Sequence, residues 1–129
     1  MHRGEADYRA GLTDQVIRLG IKIHRRLGPG LLESVYEKCL GWELQQANVE
    51  FPRQVPLPVV YEGIRIASGY RADIVVKREL ILETKSIELI LPIHESQMLT
   101  YLRLSGCRIG LLMNFYSVLL KNGLWRFVL

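Results

Sequence analysis

Along the first quarter of the chain, apolar positions recur at helical spacing. Val16, Gly20, Ile23 and Leu27 follow one another at three- and four-residue steps, while Arg18, Lys22, Arg25 and Arg26 fall on other faces. This spacing predicts a helix over residues 11–27 with Thr13 as its N-cap. Gly28-Pro29-Gly30 ends it. Leu32, Val35, Tyr36, Cys39, Leu40 and Ala47 then make the apolar stripe of a second helix with Gly30 as N-cap, and the two helices are expected to pack together. From Val49 onward the period changes to two. Pro52, Pro56 and Pro58 suit an edge strand, and Glu62-Gly63 supplies a turn into a strand over 64–67. Residues 70–76 and 80–86, joined by Lys77-Arg78-Glu79, read as a hairpin. Pro92 fits the first turn of a helix running to about Ser105, with Met98, Leu99 and Leu102 on its apolar side. Residues 108–115 read as a buried strand. Lys121-Asn122-Gly123-Leu124 matches a two-residue type I′ turn, predicting a terminal hairpin of 118–121 with 124–128. With no repeat or linker, the chain divides into a lead-in over 1–10 and a single domain over 11–129.

Composition narrows the class. A chain of 129 residues, 49% hydrophobic and 23% charged, is long enough to bury a core without disulfides or a structural metal. No apolar run approaches the roughly 20 residues of a spanning helix, and the first residues are too polar to begin a secretory signal. A cytoplasmic protein with no membrane partner is the expectation. Cys39 and Cys107 are too few for a disulfide scaffold or a four-thiolate zinc site and are expected as buried thiols. The net charge of +4 permits a polyanionic partner without requiring one.

The candidate chemistry lies in the hairpin. If Lys77-Arg78-Glu79 is a three-residue loop, Val76 faces Leu80, Ile74 meets Leu82, Asp73 meets Glu83 and Arg71 meets Lys85. Alternation then puts Ala72, Ile74, Val76, Leu80 and Leu82 on one face and Arg71, Asp73, Val75, Ile81, Glu83 and Lys85 on the other. A slip of one residue destroys that segregation. Two carboxylates directly across a ladder, with Cβ atoms about 4.5–5.5 Å apart, repel one another and call for compensation. A hard divalent cation such as Mg²⁺ would supply it, with Lys85 beside the ion to orient a water aimed at phosphorus. Alternatively Arg71 and Lys85 neutralise the pair on a solvated face. Val75 and Ile81 among the charges argue for a covered face, hence a cleft.

Other residues fit either a structural or a chemical role. Glu33, at the third position of a helix capped by Gly30, favours the helix dipole, or else points into the cleft as a third acidic group. His94, Gln97 and Tyr101 form a polar stripe on the later helix that could face the hairpin; Gln97 would orient the water or bind a phosphate oxygen, or else stand exposed. His94 reads as surface, and His24, at a helix end beside basic residues, as solvated. Arg3, Arg18, Lys22, Arg25 and Arg26 give either weak attraction to a phosphate backbone or solubilising charge.

These residues resemble a known family. Gly30-Leu31-Leu32-Glu33-Ser34-Val35-Tyr36 is similar to the pattern that names the GxxExxY protein family, and Tyr70-Arg71-Ala72-Asp73, Glu83-Thr84-Lys85 and Gln97-Met98-Leu99-Thr100-Tyr101 resemble its later motifs in order, over residues 12–128. That family looks like a compact branch of the PD-(D/E)XK nuclease superfamily. The resemblance implies an α/β, restriction-endonuclease-like fold: a mixed β-sheet flanked by helices, with an αβββαβ core plus an extra N-terminal helix and a C-terminal hairpin. It implies Asp73 and Glu83 as carboxylates holding Mg²⁺ or Mn²⁺, Glu33 as a further acidic metal ligand, Lys85 as the catalytic lysine and Gln97 as a polar helper, with Tyr36, Arg71, Thr84 and Tyr101 in support. The departures are Ala72 where proline commonly precedes the aspartate and Thr84 where an apolar residue is more usual. The implied activity is hydrolysis of phosphodiester bonds in DNA, RNA being the lesser candidate. The competing reading is an inactive module of the same fold that binds nucleic acid or a protein, and long duplex substrates would suit a homodimer. A hydrolase for other substrates fits poorly, because Lys85 has no purpose in glycoside chemistry.

Overall fold

The computed structural model describes residues 10–67 and 69–129. The expected lead-in, apart from Ala10, therefore lies outside the described residues, as does Arg3. Helix α1 spans Ala10–Leu27 and α2 Glu33–Gln46. Strands follow as β1 (Arg53–Pro56), β2 (Val59–Tyr61), β3 (Ile64–Ile66), β4 (Arg71–Val76) and β5 (Leu80–Lys85). Helix α3 (Pro92–Ser105) leads to β6 (Ile109–Asn114), and a 3₁₀ turn, Leu120–Gly123, leads to β7 (Leu124–Val128). Among the described residues no helix is long and apolar enough to cross a membrane.

The main sheet has the order β1-β4-β5-β6-β7 and is mixed, β5 and β6 being parallel and the other pairs antiparallel. A parallel neighbour demands a crossover, which α3 provides. This is a restriction-endonuclease-like α/β architecture. On one side, Val16 and Ile23 of α1 and Tyr36, Leu40 and Leu44 of α2 close over Ile74, Val76, Leu80 and Leu82. On the other, Met98 and Leu102 of α3 cover Val75, Ile81 and Leu112. The helical spacing works because every third or fourth side chain meets the sheet, and of the strands covered on both faces β6 is apolar as far as Met113 and β5 over its first half, Leu80 to Leu82. β1 is the edge, where Pro52 and Pro56 do least harm to the ladder. The small ribbon β2–β3 turns at Glu62 (φ 48°) and Gly63 (φ 80°), both left-handed as a type I′ turn requires.

Four expectations are corrected. Thr13 is no N-cap: α1 is already formed at Ala10, and Thr13, 1% exposed, lies on the same buried stripe as Val16. Gly30 does not cap α2; its φ of 96° is left-handed, whereas the capping backbone belongs to Leu32, so Glu33 is the first helical residue and not the third. Ala72 sits with Val75 on the α3 side, so strict alternation breaks at Asp73. The terminal hairpin is absent from the described structure: β7 pairs with β6 instead, and Gly123 closes a 3₁₀ turn without a positive φ. The pull of Asn122-Gly123 toward a tight turn is local. Along the open edge of β6, β7 satisfies a run of backbone groups that a terminal hairpin leaves unpaired.

Candidate active site

The site begins with the register of the β4–β5 hairpin. Val76 pairs with Leu80, Val75 with Ile81 and Ile74 with Leu82, as a three-residue loop requires. At the next step the carboxylates take over from the backbone. The Asp73 N–H donates to Glu83 Oε1 at 2.9 Å, and the Thr84 N–H donates to Asp73 Oδ2 at 3.1 Å. Gln54, whose neighbours Arg53 and Val55 pair with Ile74 and Ala72, has a φ of 52°. The edge strand is thus distorted opposite the aspartate. Two acidic side chains are held side by side, each anchored to the other's strand.

Burial makes this pair unusual. Glu83 is 6% exposed, and desolvation, reinforced by the charge of Asp73, pushes its carboxyl up to about 8. Desolvation also raises Asp73, with the charge of Glu37 adding to it, against the Thr84 N–H and the charge of Lys85, which both favour the ionised form. On the α3 side Tyr101 is raised by desolvation and then by the charges of Glu83 and Asp73, and its ring lies 6.1 Å from that of Tyr70. Among the described residues neither Lys85 nor Arg71 forms an ion pair with either carboxylate; Lys85 is half-buried and Arg71 exposed. The solvated, salt-bridged face is not what folds.

The remaining expected residues are distributed around this centre. The Thr84 hydroxyl lies 3.4 Å from both Asp73 Oδ2 and the Glu33 carbonyl, and Glu33 Oε2 accepts the Ser86 N–H at 3.4 Å. Glu33 thus borders the end of β5 but is engaged there. Among the described residues no three His, Cys, Asp or Glu side chains gather into a ready cation site. Gln97 is exposed on α3. Tyr36 is wholly buried, stacked on Phe115 with centroids 4.2 Å apart. Its hydroxyl donates to the Gly28 carbonyl at 2.6 Å and accepts the Leu31 N–H at 3.0 Å. With Gly28 and Gly30 both left-handed (φ 74° and 96°), that clamp folds the turn that delivers Glu33.

Two contributors, Glu37 and Asn114, escaped the sequence, and a third residue, His24, is not where it was expected. Glu37, 5% exposed, accepts from Arg53 (Nε 3.1 Å, Nη2 3.0 Å) and from Gln54 Nε2 at 2.9 Å, and its charge reaches both carboxylates. Its place one turn after Glu33 was the available signal. Asn114, also buried, bonds both the N–H and the carbonyl of Ile87 (3.1 and 2.9 Å), fastening the chain just after Lys85. His24 is not solvated: 7% exposed, its Nε2 lies 2.8 Å from the Ser117 carbonyl. His94 accepts the Leu91 N–H at 2.8 Å, a helix-start role, while Cys107 is buried and Cys39 only partly so.

Two juxtaposed, desolvated carboxylates that have no ion-pair partner among the described residues offer oxygen donors only, the chemistry of a hard-cation site. A family model described as the PD-(D/E)XK nuclease superfamily matches residues 10–127. No curated protein and no solved structure matches the chain.

Proposed function

Since the chain belongs to the PD-(D/E)XK nuclease superfamily, we propose that it hydrolyses phosphodiester bonds of nucleic acid, DNA in preference to RNA, as a GxxExxY-type member. The observation that carries this reading is the Asp73–Glu83 pair, anchored strand to strand and without an ionic partner among the described residues. Asp73 and Glu83 would hold Mg²⁺ or Mn²⁺, with Glu33 reaching the ion directly or through water. When bound, the ion supplies Lewis acidity and neutralises charge on the scissile phosphate. Lys85, two residues beyond Glu83 and fixed by the bond from the Phe115 N–H to its carbonyl at 2.8 Å, holds and orients the attacking water. Thr84 and Tyr101 position the pair, and Gln97 and Arg71, both exposed, are free to meet phosphate oxygens.

The test is cleavage of single-stranded, duplex and branched DNA and of RNA by purified protein with each metal. Asp73→Asn and Lys85→Ala are expected to abolish cutting while the far-ultraviolet spectrum and melting temperature stay close to those of the unsubstituted chain. No cleavage of any substrate overturns the enzyme reading. Calorimetry with Mn²⁺ then distinguishes an inactive module that keeps its metal from one that has lost it.

A further inference from the structure

Lys22 and Arg26 of α1, which the sheet site does not use, line a groove against α2. It encloses about 480 Å³ on the outer side of the two helices, with Ile23, Leu27 and Cys39 as its apolar floor. Lys22 and Arg26 stand one turn apart on one wall, Lys38 and Trp42 one turn apart on the other. Lys22 is engaged by Glu43, Nζ to Oε1 2.9 Å. Among the described residues Arg26 and Lys38 have no carboxylate partner. Trp42 is 61% exposed, the least economical place for the largest apolar side chain on a helix.

A bare indole beside two uncompensated cations matches a ligand that carries flat π-surfaces and anions in alternation. Single-stranded nucleic acid has that character. A duplex keeps its base faces inside the stack, and an acidic peptide satisfies the cations but leaves the indole in water. We propose that the α1–α2 groove binds a single-stranded segment of nucleic acid, one base stacked on Trp42 and the flanking phosphates on Arg26 and Lys38. This extends the reading that the chain acts on nucleic acid and concerns none of the residues around Asp73 and Glu83.

Fluorescence anisotropy of a labelled oligothymidylate, recorded in EDTA so that no strand is cut, tests it. Trp42→Ala is expected to weaken binding about tenfold and Trp42→Phe to retain most of it, as loss and preservation of one stacking platform imply. Arg26→Ala and Lys38→Ala are each expected to lower the slope of log affinity against log salt by about 0.7. Trp42 lies outside both core clusters, so these variants keep the fold. Unchanged binding by Trp42→Ala, an equal dependence on Trp42 for a duplex, or displacement by polyglutamate as effective as by unlabelled oligonucleotide overturns the groove. Cleavage together with binding indifferent to Trp42 removes the groove and keeps the nuclease; Trp42-dependent binding by a chain that cuts nothing does the reverse.

Discussion

Glu83 is a carboxylate that folding protonates, and the consequence is measurable in the metal-free protein. Its ordinary value is 4.5 and its folded value about 8. Below the lower value both folded and unfolded chains carry the proton, so nothing is lost. Between the two, the unfolded chain has released a proton that the folded chain retains, and stability falls as pH rises through that window. Denaturant titrations across it are expected to show this decline for the unsubstituted chain and a flatter profile for Glu83→Gln, with Asp73 supplying the residual slope of the same sign. A rising profile contradicts the burial argument. Tyr36→Phe tests the clamp: removing the hydroxyl leaves the Gly28 carbonyl and Leu31 N–H to find other partners, expected to cost about 1–3 kcal/mol in thermal or chemical unfolding. The nearness of Asp73 to Glu83 was readable from the sequence because the turn length sets the register as far as Ile74 and Leu82, whereas the break in alternation at Asp73 was not. Glu37 and His24 were not, because their partners, Arg53 and Ser117, come from a proline-interrupted edge and from a distant loop.

Among elements, the long periodic helices and the hairpin were legible where local and tertiary demands agree, as at Pro92 opening α3 and Gly106, left-handed at φ 79°, ending it. They were illegible where those demands conflict. Asn122-Gly123 favours a tight hairpin turn, yet its two flanks separate, one into a 3₁₀ turn and the other along β6. A Cβ at Gly123 would collide with the Asn114 carbonyl. Gly123→Ala is therefore expected to destabilise by about 1–3 kcal/mol through overpacking, read as a lowered melting temperature; in a type I′ hairpin the same change would instead act through its positive φ, and Gly123→Asn would rescue it. No rescue by asparagine is expected here.

For the whole molecule, the order of helices and strands followed from the apolar periods and the mixed sheet with flanking helices from the family resemblance, whereas the independence of the β2–β3 ribbon followed from neither. Its Val60, Tyr61, Ile64 and Ile66 are exposed, and none of them belongs to either core cluster. Replacing residues 60–65 by a short Gly-Asn link is accordingly expected to leave the melting temperature within a few degrees of the parent, since Leu57 on the near side stays in its cluster. A collapse of the fold on this deletion would mean that the ribbon braces the sheet. The hairpin that carries Asp73, Glu83 and Lys85 closes over a short stretch of chain, whereas the parallel pairing of β5 with β6 waits for the whole crossover through α3. Loop-closure entropy then orders assembly in time. The corner that holds Asp73 and Glu83 is therefore expected to be drawn while still open to water, and the later arrival of α3 and β6 to dry it.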